Sequence, residues 1–148
     1  MMNSRSMFPT AAVALLLLFS AGQAHAEQKK RLGEYDVHYA VVQSTFFSED
    51  IALQYDIVRG PDRALVNLSI LDDQDRPVAV ALEGTATNLL GQTAGLDFRE
   101  IREGPAIYYL ADVRYTDRDT LRFRVRITTP DGRAHTLEFQ QQMFRDGR

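Results

Sequence analysis

The 148-residue sequence contains no cysteine and no tryptophan, and it has only three histidines. The absence of cysteine excludes disulfides, thiol nucleophiles, thiolate-bound metals and a lipid-modified cysteine. No glycine-rich loop joins a predicted strand to a predicted helix, which argues against a nucleotide-binding site. The formal net charge is −3 and 25% of the residues are charged. This is an ordinary globular composition, without the basic excess that nucleic-acid binding needs.

The first 26 residues have the organisation of a secretory signal peptide. Arg5 precedes an apolar run at residues 11–19, and small residues follow up to Ala24-His25-Ala26. Export requires this order of basic region, apolar region and A-x-A cleavage site. The apolar stretch is too short to cross a bilayer, which takes about 20 residues. We therefore predict cleavage after Ala26, a periplasmic location in a bacterium, and no stable membrane span in the mature chain.

The mature chain, residues 27–148, is long enough for one domain with a packed core. Apolar and polar residues alternate along seven of its segments: 35–41, 63–71, 78–82, 96–101, 106–115, 121–127 and 135–143. Because successive side chains of a strand point to opposite faces, this alternation predicts half-buried strands. In the clearest segment, apolar side chains face inward and arginines face outward: Leu121, Phe123, Val125 and Ile127 against Arg122, Arg124 and Arg126.

One segment, residues 48–55, departs from this alternation. Ser48 is a favourable helix N-cap residue, and Glu49 and Asp50 suit the positive end of a helix dipole. These residues predict a two-turn helix between the first two strands. The sequence thus predicts an all-β fold, an immunoglobulin-like antiparallel β-sandwich of about seven strands with one short helix after the first strand. A small closed barrel is the competing fold.

Four segments in this order resemble a known bacterial family: Tyr35-Asp36-Val37-His38-Tyr39, Ser44-Thr45-Phe46-Phe47, Ile51-Ala52-Leu53-Gln54-Tyr55 and Ala64-Leu65-Val66-Asn67-Leu68-Ser69-Ile70. The resemblance is to the secreted family catalogued as domain of unknown function 4426, and it spans essentially the whole mature chain. It implies an exported single-domain protein. It carries over no activity, cofactor or catalytic residue.

Candidates for catalysis and metal binding are few. Asp36 and His38 share the polar face of the first predicted strand and are the best pair for a small-ligand or metal-dependent site. Asp72, Asp73 and Asp75 crowd one turn and are weak metal candidates, because calcium prefers clustered oxygen ligands. Aspartate is also common in turns for conformational reasons alone. We expect neither a metal nor a cofactor.

A stripe of three arginines is the first candidate binding feature. Arg122, Arg124 and Arg126 lie on the outward face of one predicted strand. Such a stripe is typical of a solvated sheet face or of an edge strand that charge protects from aggregation. Alternatively, it docks an acidic partner or an anionic envelope polymer.

Aromatic side chains near the predicted helix are the second candidate binding feature. Phe46 and Phe47 are adjacent, so they cannot both point inward from a strand, and Tyr55 ends the helix. In one interpretation both phenylalanines cover the core and the helix. In the other, one is exposed beside the loops at 84–95 and 116–120 and forms an apolar landing patch.

Two hypotheses of function follow. The first is a non-enzymatic exported module that binds or scaffolds an envelope component, either a protein or an anionic polymer, and does not bind nucleic acid. The second is a small-ligand or metal-dependent enzyme or binding protein that uses His38 and Asp36. A concave pocket around His38 favours the second hypothesis, and a flat surface there favours the first.

Overall fold

Nine strands and two short helical segments make up residues 28–145, the part of the chain that the computed structural model describes. The predicted signal peptide, residues 1–26, lies outside the described residues. A 3-10 turn (Ser44–Phe46) and helix α1 (Glu49–Gln54) separate the second strand from the third. The strands are β1 (Gln28–Leu32), β2 (Tyr35–Gln43), β3 (Arg63–Leu71), β4 (Ala81–Thr87), β5 (Thr93–Leu96), β6 (Arg99–Glu103), β7 (Ala106–Arg114), β8 (Thr120–Thr128) and β9 (Ala134–Gln142).

The strands form two antiparallel sheets. One has five strands in the order β1-β2-β3-β7-β6, and the other has four in the order β5-β4-β8-β9. Their apolar faces pack against each other, because alternate side chains of both sheets enter one shared cluster. The predicted all-β sandwich is therefore confirmed, and the described strands form two sheets rather than a closed barrel. Helix α1 begins after Ser48, whose hydroxyl accepts a hydrogen bond from the amide of Ile51 at 3.3 Å.

Residues 28–145 contain nine strands, two more than the predicted seven. The β1 strand escaped prediction because it is an exposed edge strand rich in lysine and arginine, with no alternation to reveal it. The predicted strand at 96–101 is in fact the end of β5 and the start of β6, which belong to different sheets. The predicted strand at 78–82 begins only at Ala81 and continues to Thr87.

The main core lies between the sheets and is centred on aromatic rings. Phe123 of β8 stacks on Phe139 of β9 with ring centroids 4.7 Å apart. Phe139 also contacts Tyr39 of the opposite sheet, at 4.4 Å between centroids. Since Phe123 is fully buried, these contacts tie the two sheets together.

A second, smaller core covers the outer face of the five-stranded sheet. Phe47, Ala52 and Ile57, from the segment between β2 and β3, pack on Val42, Leu65 and Tyr108 of the sheet. The outward side chains of β8 and β9, in contrast, are exposed to solvent. The two outer faces of the sandwich therefore differ, one being covered by a helical segment and the other open.

The strand directions give the sandwich two distinct ends. The turns at 72–77, 103–105 and 129–133 share one end, here called the acidic end, because β3, β6 and β8 all finish there. The connections at 44–47, 88–92, 115–119 and 143–145 share the opposite end, here called the apolar end. Residues 28–145 contain no helix with the length and apolar character needed to cross a membrane.

Candidate binding surface on the four-stranded sheet

The three predicted arginines form a straight row on the open face of the four-stranded sheet. They project from β8, which is an interior strand between β4 and β9. Alternate residues of a strand lie about 6.8 Å apart, which sets the spacing of the row. The register gives each arginine two neighbours: Thr87 and Gln140 beside Arg122, Thr85 and Glu138 beside Arg124, and Glu83 and Thr136 beside Arg126.

The row carries a local excess of positive charge. Arg124 Nη1 lies 3.3 Å from Glu138 Oε1, and both side chains are largely exposed. Within residues 28–145, no carboxylate lies at ion-pairing distance from Arg122 or Arg126. Two guanidinium groups are therefore available to an anion from outside the domain.

Two open grooves flank Arg124. One has a volume of about 540 Å³ and includes Thr85, Thr87, Arg122 and Gln140 in its lining. The other has a volume of about 510 Å³ and includes Glu83, Asp97 and Arg126. Hydroxyl, amide and guanidinium donors, together with the carboxylates of Glu83, Asp97 and Glu138, thus line shallow space in which an extended ligand can lie.

The structure places the predicted aromatic residues away from this face. Phe47 is buried in the second core, whereas Phe46 is 59% exposed at the apolar end. The Tyr55 hydroxyl donates a hydrogen bond to the Glu103 carboxylate, and Arg99 Nη2 donates to the Tyr55 carbonyl at 3.3 Å. Burial, and then Glu103, raise the pKa of Tyr55 well above its ordinary value. Tyr55 thus attaches the helical segment to β6.

His38 and Asp36 lie on the outer face of the five-stranded sheet, on strand β2. The Asp36 carboxylate accepts a hydrogen bond from Arg31 at 3.3 Å, and His38 lines neither groove beside Arg124. His135 faces the interior near one edge of the sandwich, with its ring centroid 6.1 Å from that of Tyr35. The two described imidazoles therefore lie on different faces of the domain.

The predicted metal candidates are part of a turn. The Asp72 carboxylate accepts hydrogen bonds from the amides of Gln74 and Arg76, each at 2.9 Å, and from Arg76 Nε at 2.9 Å. These hydrogen bonds, led by that from the Arg76 amide, lower the pKa of Asp72. Across residues 28–145, no three histidine, aspartate or glutamate side chains are placed to share a metal ion. The Asp72 oxygens act as turn caps.

The neighbours of the arginine row escaped prediction from the sequence. Thr85, Thr87, Glu138 and Gln140 come from segments on either side of β8 in the sheet, although β4 is far from it along the chain. Their polar character at alternate positions was visible in the sequence. Their proximity to the arginines required the strand order.

Comparison with known proteins agrees with this architecture. The model of the family described as domain of unknown function DUF4426 matches residues 29–146. No curated protein matches the chain. A crystal structure of a DUF4426 family protein from Pseudomonas aeruginosa PAO1 is 33% identical, with a TM-score of 0.74 over 82% of this chain and 97% of that one.

More distant structures share only the fold. A copper-bound variant of FetP from uropathogenic Escherichia coli strain F11 is 9% identical, with a TM-score of 0.59 over 82% of this chain and 97% of that one. FetP as isolated after expression in the periplasm of E. coli is 10% identical, with a TM-score of 0.62 over 83% and 97% of the two chains. By its family match and its close structural relative, this chain belongs to the DUF4426 family.

Proposed function

We propose that the mature protein is an exported binding module that holds an anionic envelope component on the open face of its four-stranded sheet. The observation that carries this proposal is the row formed by Arg122, Arg124 and Arg126. All three side chains are exposed and evenly spaced, and within residues 28–145 Arg122 and Arg126 have no carboxylate at ion-pairing distance. A row of cations on a protein of negative net charge attracts and orients a partner with a complementary line of charge.

Export is part of the same proposal. The order of Arg5, the apolar run at 11–19 and Ala24-His25-Ala26 supports it. The fold likeness to FetP, which was expressed in the periplasm of E. coli, is consistent with such a location. In that compartment the candidate partners are acidic proteins and anionic polymers.

The chemistry of the face favours binding over turnover. Guanidinium, hydroxyl and amide groups recognise anions by hydrogen bonding and charge, and the sheet holds them in fixed register. The alternative site at His38 is less favoured, since Asp36 already has Arg31 as its partner. His38 and His135 lie on different faces of the domain, which does not favour a copper site that uses both. The likeness to FetP is therefore better explained by a common fold than by a common copper site.

A defined polyanion tests the proposal. Fluorescently labelled poly-L-glutamate is titrated with the mature protein, and anisotropy reports the dissociation constant. We expect R122E/R126E to weaken binding by roughly tenfold or more, because two attractive contacts become repulsive. The matched control is R102E/R133E, which reverses two exposed arginines at the acidic end. Equal effects of the two double variants would contradict the proposed site.

A further inference from the structure

The large apolar side chains that the described residues expose are concentrated in a few connections. Within residues 28–145 they are Phe46, Leu53, Val58, Leu89, Leu90 and Phe144. Phe46, Leu89, Leu90 and Phe144 all belong to the apolar end. Exposed leucine and phenylalanine grouped at one end of a domain indicate an interaction surface.

Leu89 and Leu90 stand at the tip of the turn between β4 and β5, where they are 66% and 85% exposed. The turn is built by its other two residues. Asn88 Oδ1 accepts hydrogen bonds from the amides of Leu90 at 3.0 Å and Gln92 at 2.9 Å, and Gly91 adopts a φ of +82°. Asn88 provides the side-chain hydrogen bonds of the turn, and Gly91 adopts its positive φ. The turn therefore does not require leucine at its two tip positions.

Three projections stand side by side at this end of the four-stranded sheet. Thr87 pairs with Arg122 and Thr120 pairs with Gln142. The leucine turn, the turn at 115–119 and the segment at 143–145 therefore leave neighbouring strands, which are about 4.8 Å apart. The segment at 143–145 is also fixed to the other sheet, because Gln43 Nε2 donates to the Phe144 carbonyl at 2.6 Å.

Free cations accompany these apolar side chains. Arg118 and Arg145 are exposed, and within the described part of the chain neither guanidinium has a carboxylate at ion-pairing distance. Three acids lie nearby, and each has another partner. Asp117 accepts a hydrogen bond from the Arg145 amide at 2.9 Å, Asp119 accepts one from the Thr116 hydroxyl at 3.4 Å, and Asp62 lies 3.6 Å from Arg114.

We propose that the apolar end rests on an anionic lipid surface. Leu89 and Leu90 enter the boundary between headgroups and acyl chains, Phe144 lies at the same depth, and Arg118 and Arg145 contact headgroup phosphates. Apolar side chains combined with cations are the chemistry of interfacial membrane binding. Because Leu89 and Leu90 are 66% and 85% exposed at the tip of their turn, they can enter a fluid bilayer without a preformed complementary surface. This surface is distinct from the arginine row and goes beyond the proposed function.

Vesicle sedimentation tests the proposal directly. The mature protein is mixed with vesicles of phosphatidylglycerol and phosphatidylethanolamine, and the bound fraction is measured after centrifugation. We expect binding that L90S weakens roughly tenfold and L89S/L90S abolishes, because a leucine at the interface contributes about that factor. L53S is the matched control, since Leu53 is as exposed, at 80%, but lies on helix α1. R118E/R145E is expected to weaken binding to these vesicles more strongly than R102E/R133E.

Three results would overturn the proposal. They are no sedimentation of the wild-type protein, equal binding by L90S and wild type, and self-association in sedimentation velocity that L89S/L90S removes. The last result would assign the leucine turn to contact with a second copy of the chain. Unchanged circular dichroism spectra establish that the variants are folded. R122E/R126E tests whether the arginine row takes part in vesicle binding. We expect it to affect vesicle binding no more than R102E/R133E does, because the two surfaces are distinct.

Discussion

Arg124 and Glu138 face each other across β8 and β9, with Nη1 and Oε1 3.3 Å apart in the middle of the open sheet face. Glu138 is thus the acid that competes with an external anion for the central arginine of the row. Because both side chains are largely exposed, their ion pair adds less than about 1 kcal/mol to the free energy of unfolding. The ion pair therefore affects the binding of an external anion more than it affects the stability of the domain.

We predict that Glu138→Gln strengthens poly-L-glutamate binding several-fold and changes the free energy of unfolding by less than about 1 kcal/mol. The substitution removes the competing charge and keeps the shape of the side chain. Anisotropy titration and urea unfolding measure the two quantities. Weaker binding by the variant would show that Glu138 assists the ligand instead of competing with it.

The arginine row also shows how far the sequence predicts the site. Alternation along residues 121–127 correctly predicted both the buried side chains of β8 and its exposed arginines. In a strand, successive side chains point to opposite faces, so the same pattern predicts both sets. Thr85 and Glu138 were out of reach because alternation within a strand says nothing about which strands pair. The helix was predictable from its local cap at Ser48.

Other features of the fold were hidden for different physical reasons. The edge strand β1 exposes nearly all its side chains, so it has no apolar face to signal a strand. Leu89 and Leu90 lie in a turn that Asn88 and Gly91 specify. Turn-forming residues predict the turn itself, but they do not predict how exposed the side chains at its other two positions are. Both cases show that exposed segments leave weaker patterns than buried ones.

The attachment of helix α1 depends on Tyr55. Burial and Glu103 raise the pKa of its hydroxyl, so the folded protein holds this proton more tightly than the unfolded chain does. The resulting stability is present below the ordinary tyrosine pKa of about 10 and is lost as the pH rises beyond it. We predict that Tyr55→Phe lowers the free energy of unfolding by about 1 kcal/mol at pH 7.

The same variant is expected to unfold with a weaker pH dependence above pH 10 than the wild type. Urea unfolding at a series of alkaline pH values measures this difference. An identical slope in both proteins would mean that neither burial nor Glu103 raises the pKa of Tyr55 in the folded state.

The acidic turn is stabilised by the Asp72 carboxylate. Its hydrogen bonds lower its pKa, so its contribution is present above the ordinary aspartate pKa of about 3.9 and is lost as the pH falls through the lowered value. We predict that Asp72→Ala lowers the melting temperature at pH 7, whereas Asp73→Ala changes it little. Calcium is expected to leave the wild-type melting temperature unchanged, and a calcium-dependent rise would instead indicate a metal site.

Gly33 is required at the turn between β1 and β2 for two reasons. Its φ is +60°, and a Cβ atom there would lie 2.8 Å from His135 Cε1. Gly104, with a φ of +55° and open space around it, is a matched control with backbone strain alone. We predict that Gly33→Ala lowers the free energy of unfolding by about 1 kcal/mol more than Gly104→Ala, since the imidazole must move. Equal losses in urea unfolding would show that the imidazole moves freely.

The proposed role of the arginine row is to hold an anionic envelope partner. Crosslinking in the periplasm of a bacterium that produces this protein, followed by purification of the crosslinked complexes, tests it most directly. We predict one specific partner that is captured by the wild type, by R102E/R133E and by His38→Ala, and is lost with R122E/R126E. Capture of that partner by R122E/R126E at the wild-type level, or a catalytic turnover that His38→Ala abolishes, would contradict the claim.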